Sequence, residues 1–371
     1  MEAAGGAALA AQQAYRGPTV TPIRKCPYVL RHARSCRTLA AVTPTPTPPP
    51  AAARRVLVIV DPAAPSPPAL AKAARLARAL RAGIELYACD PLAGGEGPGR
   101  ARALARRRAV ERGEAALRRL ARAELGARRV AVRYELGHPR AARVLAYVRR
   151  TRPGLVVIES HFHRGLRRAL FGASDWPLIR DCAVPLLYAK PGRWPAAPRI
   201  AAAVDPLHPA DPRARLDATL VGAAHALARG LGGSLAVVHA WLPLEAAVAG
   251  PALLGLPLAA AAVEERLADA EAGAARALAA LCRGRRRPRA EPVLLAGAAV
   301  ETLPAWAARA GVDVLALGAV SRSRLYEALI GATAERLLER VPCDLLVVKA
   351  RRARAPGRRP ARRGARRRIP V

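Results

Sequence analysis

Arg55-Val56-Leu57-Val58-Ile59-Val60-Asp61-Pro62 and Arg199-Ile200-Ala201-Ala202-Ala203-Val204-Asp205-Pro206 are two versions of one segment, 144 residues apart. In each, an arginine opens an unbroken apolar run that closes on Asp-Pro. An apolar run without alternation reads as a strand buried on both faces, and Asp-Pro is a turn that ends it. The repetition extends outward. Leu155-Val156-Val157-Ile158 corresponds to Val314-Leu315-Ala316-Leu317 at an offset of 159. That offset holds without a gap through Phe171-Gly172 against Ile330-Gly331, to Leu186-Leu187-Tyr188-Ala189-Lys190 against Leu345-Leu346-Val347-Val348-Lys349. The chain is therefore a domain of about 145 residues written twice. Part of the difference between the two offsets falls in a long uncharged stretch at Ala246–Val263.

Each copy alternates short apolar runs with amphipathic stretches. In the first, 55–60, 84–89, 129–134, 155–159 and 185–189 predict strands, and 67–82, 99–125, 138–151 and 173–181 predict helices. In the second, the strands are 199–204, 234–240, 291–296, 313–318 and 344–348. Strands separated by helices imply an α/β fold: two tandem five-stranded parallel-sheet domains, each covered on both faces. The domains span 54–192 and 197–350. A low-complexity, Pro-rich extension precedes them at 1–53 and an Arg-rich tail follows at 351–371, both expected to be disordered. Met1 is the sole methionine, and initiation at a Val codon such as Val42 or Val56 is the expectation for so unusual a leading stretch.

The chain has 371 residues and a formal net charge of +35, of which the extension carries +5, the repeats +20 and the tail +10. Such charge suggests a polyanionic partner, because basic side chains displace counterions from phosphates. Only four of the 62 basic side chains are lysine, there is no asparagine, and phenylalanine occurs twice. That is the signature of GC-rich coding, and it is taken as the main source of the charge; only the tail is concentrated enough to suggest weak, non-specific nucleic-acid contact. Six scattered cysteines with no C-x-x-C pair suit a reducing compartment, and the cytoplasm is expected. The stretch 246–263 approaches the length of a membrane span, yet Gly250, Pro251, Gly255 and Pro257 make it a loop running into a helix, so no membrane association is expected.

In a doubly covered parallel sheet, ligands bind beyond the carboxyl ends of the strands, where strand order reverses. Asp61 and Asp205 directly follow the first strand of each copy, placed to accept hydrogen bonds from a ribose hydroxyl or an adenine amine. After the fourth strand of the second copy comes a Gly-rich loop with Gly318, Ser321 and Gly331, and then Ala332 and Thr333 where a helix is expected to start. Free N–H groups and a positive dipole there suit a phosphate. In the first copy Glu159 replaces Gly318, Asp175 replaces Ala334, and Gly172 and Ser174 are what remains; both carboxylates oppose an anion. His161 and His163 have no further ligand at metal spacing nearby, so no metal is expected. No nucleophile elbow, Walker loop, H-E-x-x-H or paired catalytic carboxylates occur, and no enzyme is expected.

At these residues the chain resembles the universal stress protein family, in the tandem-domain form that resembles universal stress protein E. The resemblance rests on His161-Phe162-His163 through Arg167-Arg168-Ala169-Leu170-Phe171 to Ser174-Asp175-Trp176, on Gly331-x-Thr333-Ala334-Glu335, and on Val341-Pro342-Cys343-Asp344-Leu345 through Lys349. It implies an adenine-nucleotide-alpha-hydrolase-like sheet and two domains packed as an internal pseudo-dimer, with further homodimerisation open. ATP-binding members use an Asp after strand one and G-x2-G-x9-G-[S/T]; here that pattern falls on Gly318, Ser321, Gly331 and Ala332, with Thr333 one position late. The resemblance thus implies a degenerate site in the first copy and weak ATP binding in the second. It implies a non-enzymatic, cytoplasmic stress-response protein with a role in resistance to DNA-damaging agents. The uncharged 246–263 stretch leaves one alternative, a small apolar molecule or lipid held in a domain cavity, and the tail leaves another, nucleic-acid association.

Overall fold

In the computed structural model the described residues are 20–22, 55–61, 67–90, 100–126, 129–137, 140–159, 175–207, 212–243, 260–285, 287–319, 336–337 and 340–349. One short strand, β1 (Val20–Pro22), precedes the repeats. The first copy comprises β2 (Arg55–Ile59), α1 (Pro67–Ala79), β3 (Gly83–Asp90), α2 (Arg100–Leu125), β4 (Val130–Leu136), α3 (Arg140–Thr151), β5 (Leu155–Glu159), α4 (Asp175–Asp181) and β6 (Leu186–Ala189). The second comprises β7 (Arg199–Ala203), α5 (Pro212–Leu231), β8 (Ser234–Trp241), α6 (Ala260–Cys282), β9 (Ala290–Ala296), α7 (Ala299–Arg309), β10 (Val314–Ala319) and β11 (Asp344–Lys349). The apolar runs became the strands, displaced from the sequence reading by no more than two residues at an end. Between β8 and α6 lie 18 residues against nine between β3 and α2, so part of the length difference falls where the uncharged stretch lies. That stretch is outside the described residues up to 259 and enters α6 at Ala260.

The strands form one sheet in the order β1-β9-β8-β7-β10-β11-β6-β5-β2-β3-β4. Within each copy all neighbours are parallel, and the order reverses between the first and fourth strands, β2 and β5 or β7 and β10. The copies join antiparallel through their last strands, with Leu345, Leu346 and Val347 facing Tyr188, Leu187 and Leu186. This is an internal pseudo-dimer with a continuous sheet through its centre. The extension 1–53, expected to be disordered, supplies an exception at β1, where Val20, Thr21 and Pro22 pair antiparallel with Leu295, Leu294 and Val293. An edge position suits Pro22, which has no N–H to give to a second neighbour.

Side chains alternate across the strands into two cores. Val56, Val58, Ile200 and Ala202 meet α1, α2, α5 and α6 through Leu70, Leu117, Leu220 and Leu278. Leu57, Ile59, Ala201 and Leu315 meet α3, α4 and α7 through Val144, Ile179 and Trp306. With so few aromatics, close backbone approach supplies packing that bulk would otherwise give. Where α5 crosses α1 of the other copy, a Cβ at Gly230 would lie 2.8 Å from the Ala79 Cβ and 3.0 Å from its carbonyl oxygen.

A polar cluster is buried in the seam between the copies. Lys72 of α1 and Asp344 at the start of β11 are 4% and 2% exposed. The Lys72 ammonium lies 2.8 Å from Asp344 Oδ2 and donates to the Lys190 carbonyl at 2.7 Å. Asp344 also accepts from the Lys190 backbone N–H at 2.7 Å and from Trp194 Nε1 at 2.8 Å. Two further lysines cross the seam in opposite senses: Lys190 Nζ donates to the Val341 carbonyl, and Lys349 Nζ donates to the Arg180 carbonyl. Burial raises the Asp344 carboxyl pKa, opposed by the Lys72 ammonium, and lowers those of the Lys190 and Lys349 ammonium groups.

Candidate functional site

The reversal of strand order opens a crevice at the carboxyl ends of β7 and β10, and at the matching ends of β2 and β5. In the second copy the register pairs Leu317 with Ala203, which sets Gly318 beside Val204 and brings Gly318 and Asp205 together. In the first copy Ile158 pairs with Ile59, so Glu159 comes beside Val60 and Asp61. Of the residues expected at the sites, the structure therefore juxtaposes Asp205 with Gly318, and Asp61 with Glu159. Ser321, Gly331, Ala332 and Thr333, and Gly172 and Ser174 of the first copy, lie outside the described residues, as do His161 and His163.

The two copies treat this point differently. Val60 and Val204 are held alike, each N–H donating at 2.9 Å to the neighbouring strand, at Tyr87 or Val238. In the first copy the Val60 carbonyl accepts from Arg140 Nη2 at 3.2 Å, and the same guanidinium reaches Asp61 Oδ2 through Nη1 at 3.5 Å. Arg140 opens α3, three residues after Gly137, whose N–H donates to the Asp90 carbonyl at 3.1 Å. Gly297 makes the same bond to Trp241 in the second copy at 2.8 Å. Three residues after it stands Val300, so no guanidinium comes from that direction.

There the Val204 carbonyl is met by His239 of β8 instead, with Nδ1 at 3.0 Å. The ring is 5% exposed, and burial lowers its pKa against the opposing pull of the Val204 carbonyl and the Asp205 charge. A neutral imidazole donating from Nδ1 leaves Nε2 as an acceptor, and Nε2 is buried without a hydrogen-bond partner. Asp205 is exposed; its backbone N–H donates to Oδ1 of the buried Asp217 at 3.4 Å. The first copy thus sets an arginine against its carboxylate, and the second has an exposed Asp205 whose charge is felt by a buried neutral imidazole.

Gly318 has a reason of its own. A Cβ there would fall 2.7 Å from Leu216 Cδ2 and 3.1 Å from its Cγ, and Leu216 is a buried residue of α5. The glycine lets β10 end directly beneath α5, whatever lies beyond it. Arg140, His239 and Asp217 were missed in the sequence. The available signals were a histidine inside an otherwise apolar strand and the single Arg after His138-Pro139 at the head of a helix. Among the described residues no three His, Cys, Asp or Glu side chains gather as metal ligands, and no helix is long and apolar enough to cross a membrane.

The sequence profile of the universal stress protein family matches residues 52–190 and, a second time, 199–349. A universal stress protein structure from Archaeoglobus fulgidus DSM 4304 superposes with a TM-score of 0.55 at 15% identity, over 80% of this chain and 99% of that one. A functionally unknown protein of Pseudomonas aeruginosa PAO1 superposes with a TM-score of 0.57 at 22% identity, over 80% of this chain and 93% of that one. At these identities the likeness is one of fold. No curated protein matches the chain.

Proposed function

The chain belongs to the universal stress protein family, carrying its domain twice in tandem, and from that premise we propose a non-enzymatic, cytoplasmic stress-response protein, of the kind typified by universal stress protein E, whose second copy binds an adenine nucleotide weakly. The observation that carries the nucleotide reading is the difference between Asp205 and Asp61. Asp205 is exposed beside Gly318, next to a buried neutral imidazole, whereas Asp61 faces Arg140 at 3.5 Å with Glu159 alongside. An exposed carboxylate beside a glycine is placed to accept from a ribose hydroxyl or an adenine amine; one that faces a guanidinium, with a second carboxylate alongside, gains less from either. Loss of the second Gly and of the hydroxyl residue at Ala332 removes phosphate contacts, which is why the binding is weak. A role in tolerance of DNA-damaging agents follows the family resemblance.

Isothermal titration of the full chain with ATP and ADP tests this. One weak site per chain is expected, abolished in Asp205→Ala and kept in Asp61→Ala. Absence of heat at millimolar ligand, or loss with Asp61→Ala alone, refutes the nucleotide reading.

A further inference from the structure

The two copies share one fold and one coding bias, yet they do not share the charge. Residues 54–192 hold 28 basic against 11 acidic side chains, and residues 197–350 hold 17 against 15. A bias of codons acts on both halves alike, so the excess in the first copy needs another cause. Just over half of the difference between the copies, eight charges of fifteen, lies on one pair of helices. Helix α2 carries nine arginines and three glutamates over 26 residues. Its counterpart α6, in the same place between the second and third strands of its copy, carries two arginines and four acids.

The arginines of α2 also have a direction. Leu117, Ala121 and Leu125 bury one side of the helix against the sheet. Arg108, Arg112, Arg119 and Arg122 recur at helical spacing on the opposite side, and all are exposed. Arg107 and Arg118 flank them, each held by a glutamate four residues away, at 3.0 Å from Glu111 and 2.8 Å from Glu114. The result is a stripe of guanidinium groups along a helix about 39 Å long. Paired i,i+4 charges at two positions leave the central row as the electropositive feature.

We propose that the exposed arginine stripe of α2 docks on the phosphate backbone of nucleic acid. Guanidinium groups match phosphate oxygens bidentately, and a straight row of them fits a polymer with one charge every ~1.7 Å of duplex axis. Leu117, Ala121 and Leu125 are spent on its own domain, and Leu104 is the one large apolar side chain that α2 leaves exposed, too little to sink the helix into a bilayer as interfacial helices do. A second copy of this chain is disfavoured as the occupant: it brings a net charge of +35, and its only comparably placed acidic helix offers −2. Contact with phosphates alone carries no sequence preference. The proposal is independent of nucleotide binding at Asp205.

The test uses full-length protein and a labelled 24-base-pair duplex, followed by fluorescence anisotropy between 50 and 200 mM KCl. Arg108→Gln/Arg112→Gln/Arg119→Gln is compared with the natural chain and with a second full-length variant whose ten tail arginines at 351–371 are Gln. The α2 variant is expected to weaken binding in both backgrounds and to flatten the slope of log K against log salt by roughly one unit per arginine removed. Its fold is expected to be unchanged by circular dichroism, since the three side chains are exposed. Binding and slope unaltered by the α2 substitutions, or lost entirely with the tail variant, overturn the proposal. So does tighter retention on phosphatidylserine-containing vesicles than on duplex, or salt-dependent self-association that the same substitutions abolish.

Discussion

Lys72→Met isolates the buried charge at the seam between the copies. It removes the ammonium 2.8 Å from Asp344 while keeping an unbranched side chain of similar length. Breaking a buried ion pair by deleting one partner costs about 3–5 kcal/mol, because the remaining charge is left uncompensated in a poor solvent. Asp344 keeps the N–H of Lys190 at 2.7 Å and the indole of Trp194 at 2.8 Å, which places the cost near 3 kcal/mol. The pH dependence tests the cause. Burial already lifts the Asp344 pKa above its ordinary 3.8, and the Lys72 ammonium is the largest influence holding it down; without Lys72 it rises further. A carboxyl whose folded pKa exceeds its unfolded value takes up its proton first in the folded state. Stability of the variant therefore climbs as pH falls through the folded pKa toward 3.8, by up to about 1.4 kcal/mol per pH unit.

Urea unfolding followed by circular dichroism at pH 8 and pH 5 measures this as the difference between natural chain and variant, which cancels titrations common to both. The deficit is expected to be near 3 kcal/mol at pH 8 and smaller at pH 5. A deficit below about 1 kcal/mol at pH 8, or one that grows on acidification, refutes the assignment of Asp344 as a buried ionised partner.

Gly318→Ala places a Cβ 2.7 Å from Leu216 Cδ2 and is expected to cost about 1–3 kcal/mol with no ligand present, partly recovered by adding Leu216→Ala; unchanged melting would return the glycine to a purely ligand-facing role. His239 has its pKa lowered from 6.5 by burial, so the unfolded chain protonates first and stability drops as pH falls from 6.5 toward the folded pKa, by up to about 1.4 kcal/mol at pH 5.5. His239→Gln should flatten that part of the urea-unfolding profile, and a profile unaltered by the substitution would exclude His239 as its source. Tyr147 donates to the buried Glu85, which Arg55 also holds at 2.8 Å, and burial with that hydrogen bond pushes the phenol up to about 12. Tyr147→Phe should cost about 1–3 kcal/mol in thermal unfolding, and a loss below experimental error would remove that bond from the stabilising network.

The strands, their order of appearance and the duplication were legible because a parallel sheet covered on both faces demands unbroken apolar runs, and Val56–Ile59 or Val314–Leu317 can hardly be read otherwise. The position of the site followed from topology alone, since strand order must reverse somewhere and the residues after strands one and four flank that point. Its chemistry was less legible. Arg140 reaches Asp61 from 79 residues away, and nothing in the periodicity of α3 says which end of which strand its first side chain will meet. Gly318 looked like a phosphate-loop glycine, and its contact with Leu216 shows a packing demand that any sequence pattern would confuse with a ligand's. The seam was hidden for the same reason: Lys72 and Asp344 are 272 residues apart, and each sits in a segment that reads as ordinary helix or strand.

Coding bias sharpens the meaning of the charge. The chain has four lysines, at 25, 72, 190 and 349. Lys25 lies outside the described residues, and the other three all have their ammonium groups in the seam. A point charge on a slender stem can satisfy its three N–H donors on carbonyls and one carboxylate in a space closed to solvent. A guanidinium would bring five N–H donors and a rigid plane to the same spot. Where burial is that tight, as at Lys72 and Lys190, the pressure toward arginine is resisted; where a side chain reaches solvent, as along α2 and α6, either sign is tolerated by the fold. The sign actually found on those two helices is then free to be set by something other than folding, which is the ground on which their difference carries meaning.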